Sequence, residues 1–186
     1  MDVQITRSGG TYLYDSQRDV RDTTMIKDLT GATAMSGNYL AVNNADMVTY
    51  AAFNKCRVEI GLTVPVAPVA GQSKVFGLKL AIGGVKGAAV FMIADDVFYA
   101  RVYEKDGSDY IFSKTIPWLS AWTNTDTRYQ ITVSEDCIIF LIDDVVVARF
   151  NQNNKVLSKQ FYCGPLPVRI TNGNADALLL STISAY

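Results

Sequence analysis

Three pairs of adjacent acidic residues are the first candidates for chemistry: Asp95-Asp96, Glu135-Asp136 and Asp143-Asp144. Retaining glycoside hydrolysis needs two carboxyl groups about 5–5.5 Å apart, a spacing that alternate positions of one strand supply. Adjacent residues of a strand point to opposite faces, and all three pairs stand at predicted turns, where Asp forms local hydrogen bonds. Glu59, on a predicted strand, has no acidic residue two positions away. We therefore expect these acids to build turns, and we expect no catalytic residue.

Nucleophilic chemistry also lacks its usual partners. The chain has no histidine, the commonest general base and zinc ligand, and no Ser-x-x-Lys motif that could supply a lysine base. The three cysteines, Cys56, Cys137 and Cys163, are widely spaced and odd in number, which predicts buried free thiols. The sequence thus predicts a protein that is not an enzyme and needs no cofactor.

Two segments carry oxygen ligands of the kind that calcium prefers: Asn43-Asn44-Ala45-Asp46 and Asn172-Gly173-Asn174-Ala175-Asp176. Neither reproduces a known calcium-loop signature, and turns rich in Asn and Asp are far commoner than metal sites. We expect no metal site.

Binding chemistry is better represented. In the segment VFYARVYEK, strand alternation places Tyr99, Arg101 and Tyr103 on one face. Trp118 and Trp122 follow in PWLSAW and could form the rim of such a face. Pyranose rings stack on aromatic rings, but Tyr, Trp and Arg are also enriched at protein interfaces. These five residues are the predicted ligand or interface contacts, with one alternative left open: the tryptophans could close the end of a sandwich.

Composition limits the partners. The chain has 186 residues, 49% hydrophobic and 19% charged, with 17 basic against 18 acidic residues. Since no cluster of Lys and Arg could neutralise a row of phosphates, we expect no nucleic-acid binding. No apolar run approaches the roughly 18 residues of a membrane span, and the N-terminus has no signal-peptide pattern. We expect no membrane insertion, and assembly in a cytoplasm.

The elements that must position these residues are strands. From about residue 55 onward the hydrophobic period is two, and YQITVSEDCIIFLIDDVVVARF reads as three strands joined by tight acidic turns. A helical pattern is present, weakly, near residues 20–29. The prediction is an all-β fold of two antiparallel sheets packed face to face, with an N-terminal arm, first strand and loops over 1–38 and a sandwich domain over 39–186.

The spacing of one set of residues resembles the convex-sheet strands of concanavalin A-like jelly rolls, the fold of laminarinase-type glucanases and laminin-G modules. The set is Tyr129, Ile131, Val133, Asp136, Phe140, Asp143 and Val147. The closing segment LPVRITNGNADALLLSTISAY looks like the last strands of that family. Two positions depart from the family pattern, since Asp144 and Cys137 stand where glycine is common. The hydrolytic members also carry an acidic strand of the form E-x-D-x-x-E, which is not found here.

Three functions follow as hypotheses. The leading one is a non-enzymatic virion structural protein, a head decoration or tail or fibre component, which is similar in type to bacteriophage jelly-roll modules. It would be a homo-oligomer that contacts other virion proteins after assembly in the host cytoplasm. The alternative is a lectin-like module that attaches to a host surface glycan through the Tyr99–Tyr103 face. The third is a glucanase that has kept an unrecognised acid pair.

Overall fold

A computed structural model describes residues 11–15, 26–31, 33–53, 56–79, 88–103, 110–134, 136–151 and 166–186. These residues form two antiparallel β-sheets that pack face to face around one hydrophobic core. The predicted all-β sandwich is confirmed. Over the described ranges, no helix is long and apolar enough to span a membrane.

The strands, numbered along the chain, are β1 (Thr11–Asp15), β2 (Ile26–Thr30), β3 (Ala34–Ser36), β4 (Tyr39–Val42), β5 (Ala45–Phe53), β6 (Arg57–Thr63), β7 (Ser73–Lys79), β8 (Ala88–Ala94), β9 (Val97–Tyr103), β10 (Tyr110–Thr115), β11 (Asp126–Val133), β12 (Cys137–Ile142), β13 (Val145–Asn151), β14 (Leu166–Asn172) and β15 (Leu178–Ala185). A single 3-10 turn at Ser120–Trp122 precedes β11.

Strands far apart in sequence pair to form each sheet. Sheet I has the order β13-β12-β11-β6-β15-β4-β3, with β1 also pairing β15. Sheet II has the order β10-β9-β8-β7-β14-β5-β2. The hairpins β8-β9 and β11-β12-β13 are local, whereas β14 pairs with both β5 and β7. The centre of sheet II therefore depends on contacts between distant parts of the chain.

Alternating hydrophobic residues put one face of each strand into the core. On β6, Val58, Ile60 and Leu62 are buried, as the period of two predicted. On β12, Ile138 and Phe140 are fully buried, whereas Ile139 and Leu141, which alternate with them, are half-exposed. The alternation predicted for these strands is confirmed.

Aromatic rings join the two sheets at the centre of the core. Phe91 of sheet II lies 5.7 Å from Phe76 and 5.7 Å from Phe98, measured between ring centroids. From sheet I, Tyr129 and Phe140 approach Phe91 edge-on, each at 5.3 Å. Edge-to-face pairs at this separation add stability beyond area burial, so this cluster fixes how the sheets sit on each other.

The acidic turns adopt the conformation that their residue types favour. Asp143 and Asp144 both have positive φ, 48° and 66°, and Asp95 has φ 54°. Asp tolerates this left-handed region because its side chain can bond to the nearby backbone. Thus Asp143 Oδ1 accepts the Arg128 amide at 2.9 Å. The prediction that these acids build turns is confirmed for the two described pairs, while Glu135 of the third pair lies outside the described residues.

The helix that the weak pattern near residues 20–29 indicates is not formed in the described part of that segment. Residues Ile26–Thr30 form β2, which pairs with β5, and Ile26 enters the core. Tertiary burial of one apolar side chain outweighs a faint local preference in such a short segment. The described parts of 1–38 contain three strands, of which β1 pairs with the last strand of the chain.

Two of the cysteines lie within the described residues. Cys56 and Cys137 are free and half-buried, and burial raises the pKa of the Cys56 thiol to about 11. The third, Cys163, lies outside the described residues.

Candidate functional site

The outward face of sheet II, which we call the open face, carries the candidate binding residues. On β9, Phe98, Ala100 and Val102 enter the core, so Tyr99, Arg101 and Tyr103 project outward. Each is half-buried by its neighbours. The three side chains therefore share one face of the sheet, as the alternation along β9 predicted.

Arg101 is held between two aromatic rings. Its guanidinium carbon lies 4.0 Å from the centre of the Tyr99 ring and 4.7 Å from that of Tyr110. Its Nε donates to Ser113 Oγ at 3.2 Å, and one terminal nitrogen lies 3.2 Å from Met92 Sδ. Cation–π contacts and these bonds restrict the side chain while leaving three of its five N–H donors unused by them. The guanidinium is thus ordered before any ligand arrives.

Tyr110 joins the site from the neighbouring strand. Its backbone pairs with Tyr103, and the two rings meet edge-on with centroids 6.2 Å apart. Tyr110 is 50% exposed, so its ring is open to a ligand. Tyr110 was not among the residues predicted from the sequence, although a hairpin between the two segments would place it opposite Tyr103.

A partly buried ion pair lies across the sheet from Arg101. Arg169 of β14 binds Asp46 of β5 through two nitrogens, with Nε 2.6 Å from Oδ1. Thr171 Oγ1 also donates to Asp46, at 3.0 Å. Burial lowers the pKa of Lys79 beside this pair, and Arg169 lowers it further while Asp46 opposes the shift. Asp46 is the one carboxylate on the outward strand positions of sheet II that the structure describes.

The two tryptophans do not join this face. Both rings meet Phe98, whose side chain is in the core, at 5.3 Å for Trp118 and 6.3 Å for Trp122. Trp118 Nε1 donates to Thr123 Oγ1 at 2.9 Å, which satisfies its polar group. Their packing matches the alternative left open by the sequence, closure of one end of the sandwich, and we leave them out of the site.

The two Asn- and Asp-rich segments are occupied by protein contacts. Asp46 binds Arg169, while Asp176 accepts a 2.5 Å hydrogen bond from the fully buried Lys74. Asn172 donates to two backbone oxygens, of Val42 and Asp176, each at 2.8 Å. Within the described ranges, no group of three or more His, Cys, Asp or Glu side chains could hold a metal ion.

The outward face of sheet I holds a separate polar depression of about 440 Å³. Its lining residues are Asp15, Gly61, Asp126, Thr127, Arg128, Asp143, Ser181 and Thr182. Beside it, Asp144 binds Arg57 at 2.8 Å and also Arg128, and it accepts the Gln130 amide at 2.9 Å. The Gln130 amide and the two guanidinium groups hold the pKa of Asp144 below its ordinary value. The charged groups of Asp144, Arg57 and Arg128 are thus paired with one another beside the depression.

We expect Asp126→Asn to stabilise the protein at pH 7. Burial raises the pKa of Asp126, and nearby Asp143 adds to this, while a bond from Ser181 at 2.9 Å opposes it. Since the folded pKa is raised, stability falls as pH rises above the ordinary value of 3.8, and a neutral amide removes that loss. Thermal melts of both proteins at pH 7 and pH 3 test this. We expect the variant to have a higher melting temperature than the native protein at pH 7, and the difference to be smaller at pH 3. Equal melting temperatures at pH 7 would contradict the prediction.

Comparisons of this chain with known proteins show which folds it resembles. No protein-family model matches the sequence, and no curated protein matches it. Solved structures do match. Apo Crh5 transglycosylase superposes with a TM-score of 0.74 at 13% identity, covering 91% of this chain and 81% of that one. Bacillus licheniformis beta-glucanase gives 0.71 at 10% identity, covering 97% and 99%. The Emp47p carbohydrate recognition domain gives 0.67 at 10% identity, covering 94% and 93%.

These matches correct one prediction. The prediction of a protein that is not an enzyme is contradicted, because a transglycosylase and several glycan hydrolases share the fold over nearly the whole chain. The inference failed because it treated the missing acidic strand and histidines as evidence about the whole fold. The resemblance to concanavalin A-like lectins and glucanases is confirmed at the level of structure, whereas a likeness to phage proteins is not. The chain has the concanavalin A-like jelly-roll fold shared by glucanases and carbohydrate-recognition domains.

Proposed function

We propose that this protein recognises carbohydrate on the open face of sheet II. The observation that carries the proposal is the ordered cluster of Tyr99, Arg101, Tyr103 and Tyr110. Aromatic faces and edges beside a guanidinium suit a pyranose ring, whose C–H groups stack on π-surfaces while its hydroxyls accept hydrogen bonds. The likeness of the fold to a carbohydrate recognition domain and to glucanases supports it.

The cluster divides the work of recognition between its members. The half-exposed Tyr110 ring offers a stacking surface, and the Tyr103 hydroxyl, 3.5 Å from Met92 Sδ, can instead donate to a sugar oxygen. Arg101 keeps three N–H donors that its contacts with Ser113 and Met92 do not use. Because the rings already restrain the arginine, little side-chain entropy is lost on binding. The arrangement fits a shallow surface that holds an extended glycan rather than an enclosed cavity.

We expect the double variant Tyr99→Ala/Tyr103→Ala to lose at least tenfold in affinity for any glycan that the native protein binds. Tyr99 stacks on the Arg101 guanidinium, while Tyr103 contacts Met92 and the Tyr110 ring, so removal of both side chains takes away stacking area and one of the two rings that restrain Arg101. A broad glycan array finds the ligand, and titration calorimetry then gives the affinities. Tyr186→Ala, which removes a tyrosine that is 45% exposed at the end of sheet I, is the matched control and should bind normally.

Two results would contradict the proposal: no glycan bound by the native protein, or full binding by a folded double variant. The described outward strand positions of sheet II provide a single carboxylate, Asp46, so they do not form the carboxyl pair of a retaining glycosidase. Incubating the bound glycan with the protein and measuring new reducing ends determines whether recognition is coupled to cleavage.

The virion hypothesis is not carried further. None of the three solved structures named above is a virion protein, and no contact of the described residues favours a head, tail or fibre position. Virion partners, homo-oligomer formation and assembly in a host cytoplasm stay predictions from sequence, whereas the glycan alternative gains support from the fold.

A further inference from the structure

The two outward faces of the sandwich differ in charge. On the open face, the described strand positions carry Lys27, Lys79, Arg101 and Arg169 against Asp46 alone, a net charge of +3 from four cations and one carboxylate. On the described outward strand positions of sheet I, Arg57, Arg128 and Arg149 stand against Asp15, Glu59 and Asp126, a net charge of zero from three cations and three carboxylates. The whole chain has a net charge of −1, so the positive charge is concentrated on one face.

The cations of the open face follow the register of the sheet. Arg169 is the partner of Gly77, Gly77 of Val90, and Val90 of Arg101, so both arginines lie in one row across four strands. Three strand spacings put their Cα atoms about 14 Å apart. Lys79 lies two residues from Gly77, in the next row, which continues through Ala88 to Tyr103. The three cations therefore form a strip that crosses the sheet beside the aromatic rings.

Two of these cations have no salt-bridge partner among the described residues. Arg169 shares its charge with Asp46, but among the described residues no salt bridge joins Arg101 or Lys79 to a carboxylate. A half-buried ammonium next to a second cation is an unfavourable arrangement, consistent with the lowered pKa of Lys79. An anion placed between Lys79 and Arg101 would relieve that cost and would meet the free N–H donors of the guanidinium.

Resting on the carbohydrate-binding function proposed above, we propose that the glycan is acidic: it carries carboxylate or sulfate groups that the strip of Lys79, Arg101 and Arg169 reads. A guanidinium matches the geometry of both anions with paired hydrogen bonds, and charge-assisted bonds are stronger than neutral ones. Tyr103 and Tyr110 then hold the sugar rings between anionic groups.

The test compares acidic glycans with neutral counterparts. The probes are oligogalacturonate with its carboxyl-reduced form, for carboxylate, and dextran sulfate with dextran, for sulfate. We expect at least tenfold tighter binding of one acidic probe than of its neutral counterpart. Arg101→Gln and Lys79→Gln should each reduce that preference by about tenfold, the scale of a charged hydrogen bond. Arg149→Gln removes the same charge from an exposed position on sheet I and should leave the preference unchanged.

Each other outcome overturns something specific. Equal binding of acidic and neutral probes would overturn the acidic-ligand inference and leave the carbohydrate-binding proposal intact. Acidic binding that Arg149→Gln weakens as much as Arg101→Gln would mean attraction by overall charge, and would also overturn the inference. Binding of no glycan, charged or neutral, on the array or here would overturn both proposals. Thermal melts of each variant ensure that a loss of binding comes from a folded protein.

Discussion

Replacing Phe140 with alanine is expected to lower the free energy of unfolding by about 3–5 kcal/mol, the range of buried aromatic truncations. Phe140 is fully buried on β12, and its ring meets the ring of Phe91 edge-on at 5.3 Å, with an interplanar angle of 83°. The truncation leaves a cavity where sheet I packs on sheet II. Because hydrogen bonds hold the strands of both sheets in place, the rearrangement of a single side chain cannot fill this cavity.

Urea titration of Phe140→Ala and of native protein gives the free-energy difference. Val146→Ala is the control: Val146 lies on the neighbouring strand but is 57% exposed, so less than about 1 kcal/mol is expected. A loss below about 1 kcal/mol for Phe140→Ala as well would mean that the aromatic cluster does not join the sheets.

Gly77→Ala is expected to destabilise the protein by about 3 kcal/mol or more, although it adds only one methyl group. Gly77 has φ 146°, a backbone conformation that residues with a Cβ rarely adopt, at a cost of about 1–3 kcal/mol. A Cβ there would also lie 2.6 Å from Ala89 O and 2.8 Å from Ile131 Cδ1. Overpacking of this kind costs roughly another 1–3 kcal/mol, because the backbone oxygen cannot move without disturbing β8.

Gly37→Ala separates these two contributions. Gly37 also has positive φ, 59°, but an added Cβ would meet nothing within 4 Å. Its loss should reflect backbone strain alone and remain near 1 kcal/mol. If the two variants were equally stable in chemical denaturation, the close approach of β7 to β8 and to the core at Gly77 would not be as described.

The sandwich was predictable because its cause is local. In segments such as β6, β11 and β12, every second residue is apolar, which predicts a strand with one buried face. The acidic pairs Asp95-Asp96 and Asp143-Asp144 correctly predicted turns. The short N-terminal strand β2 was missed, since its pairing with β5 depends on where the chain returns and not on its own pattern.

Only the part of the site that lies on a single strand could be predicted from the sequence. Alternation along β9 brought Tyr99, Arg101 and Tyr103 together, but nothing in the sequence shows that β14 and β5 lie in the same sheet. The contribution of Arg169 and its bond to Asp46 therefore required the structure. The role of the tryptophans also depended on three-dimensional packing, because a spacing of four residues in a loop does not show which side faces the core.

The most direct test of the central claim, that the open face of sheet II binds the glycan, is an NMR titration of the arginine Nε–H resonances with the tightest-binding oligosaccharide. Arg101 lies in the proposed site, while Arg57 and Arg128 lie on sheet I and serve as internal controls. The account predicts a saturable shift of Arg101 with Arg57 and Arg128 unchanged. Movement of Arg57 and Arg128 with Arg101 unchanged would place the glycan on sheet I and contradict it.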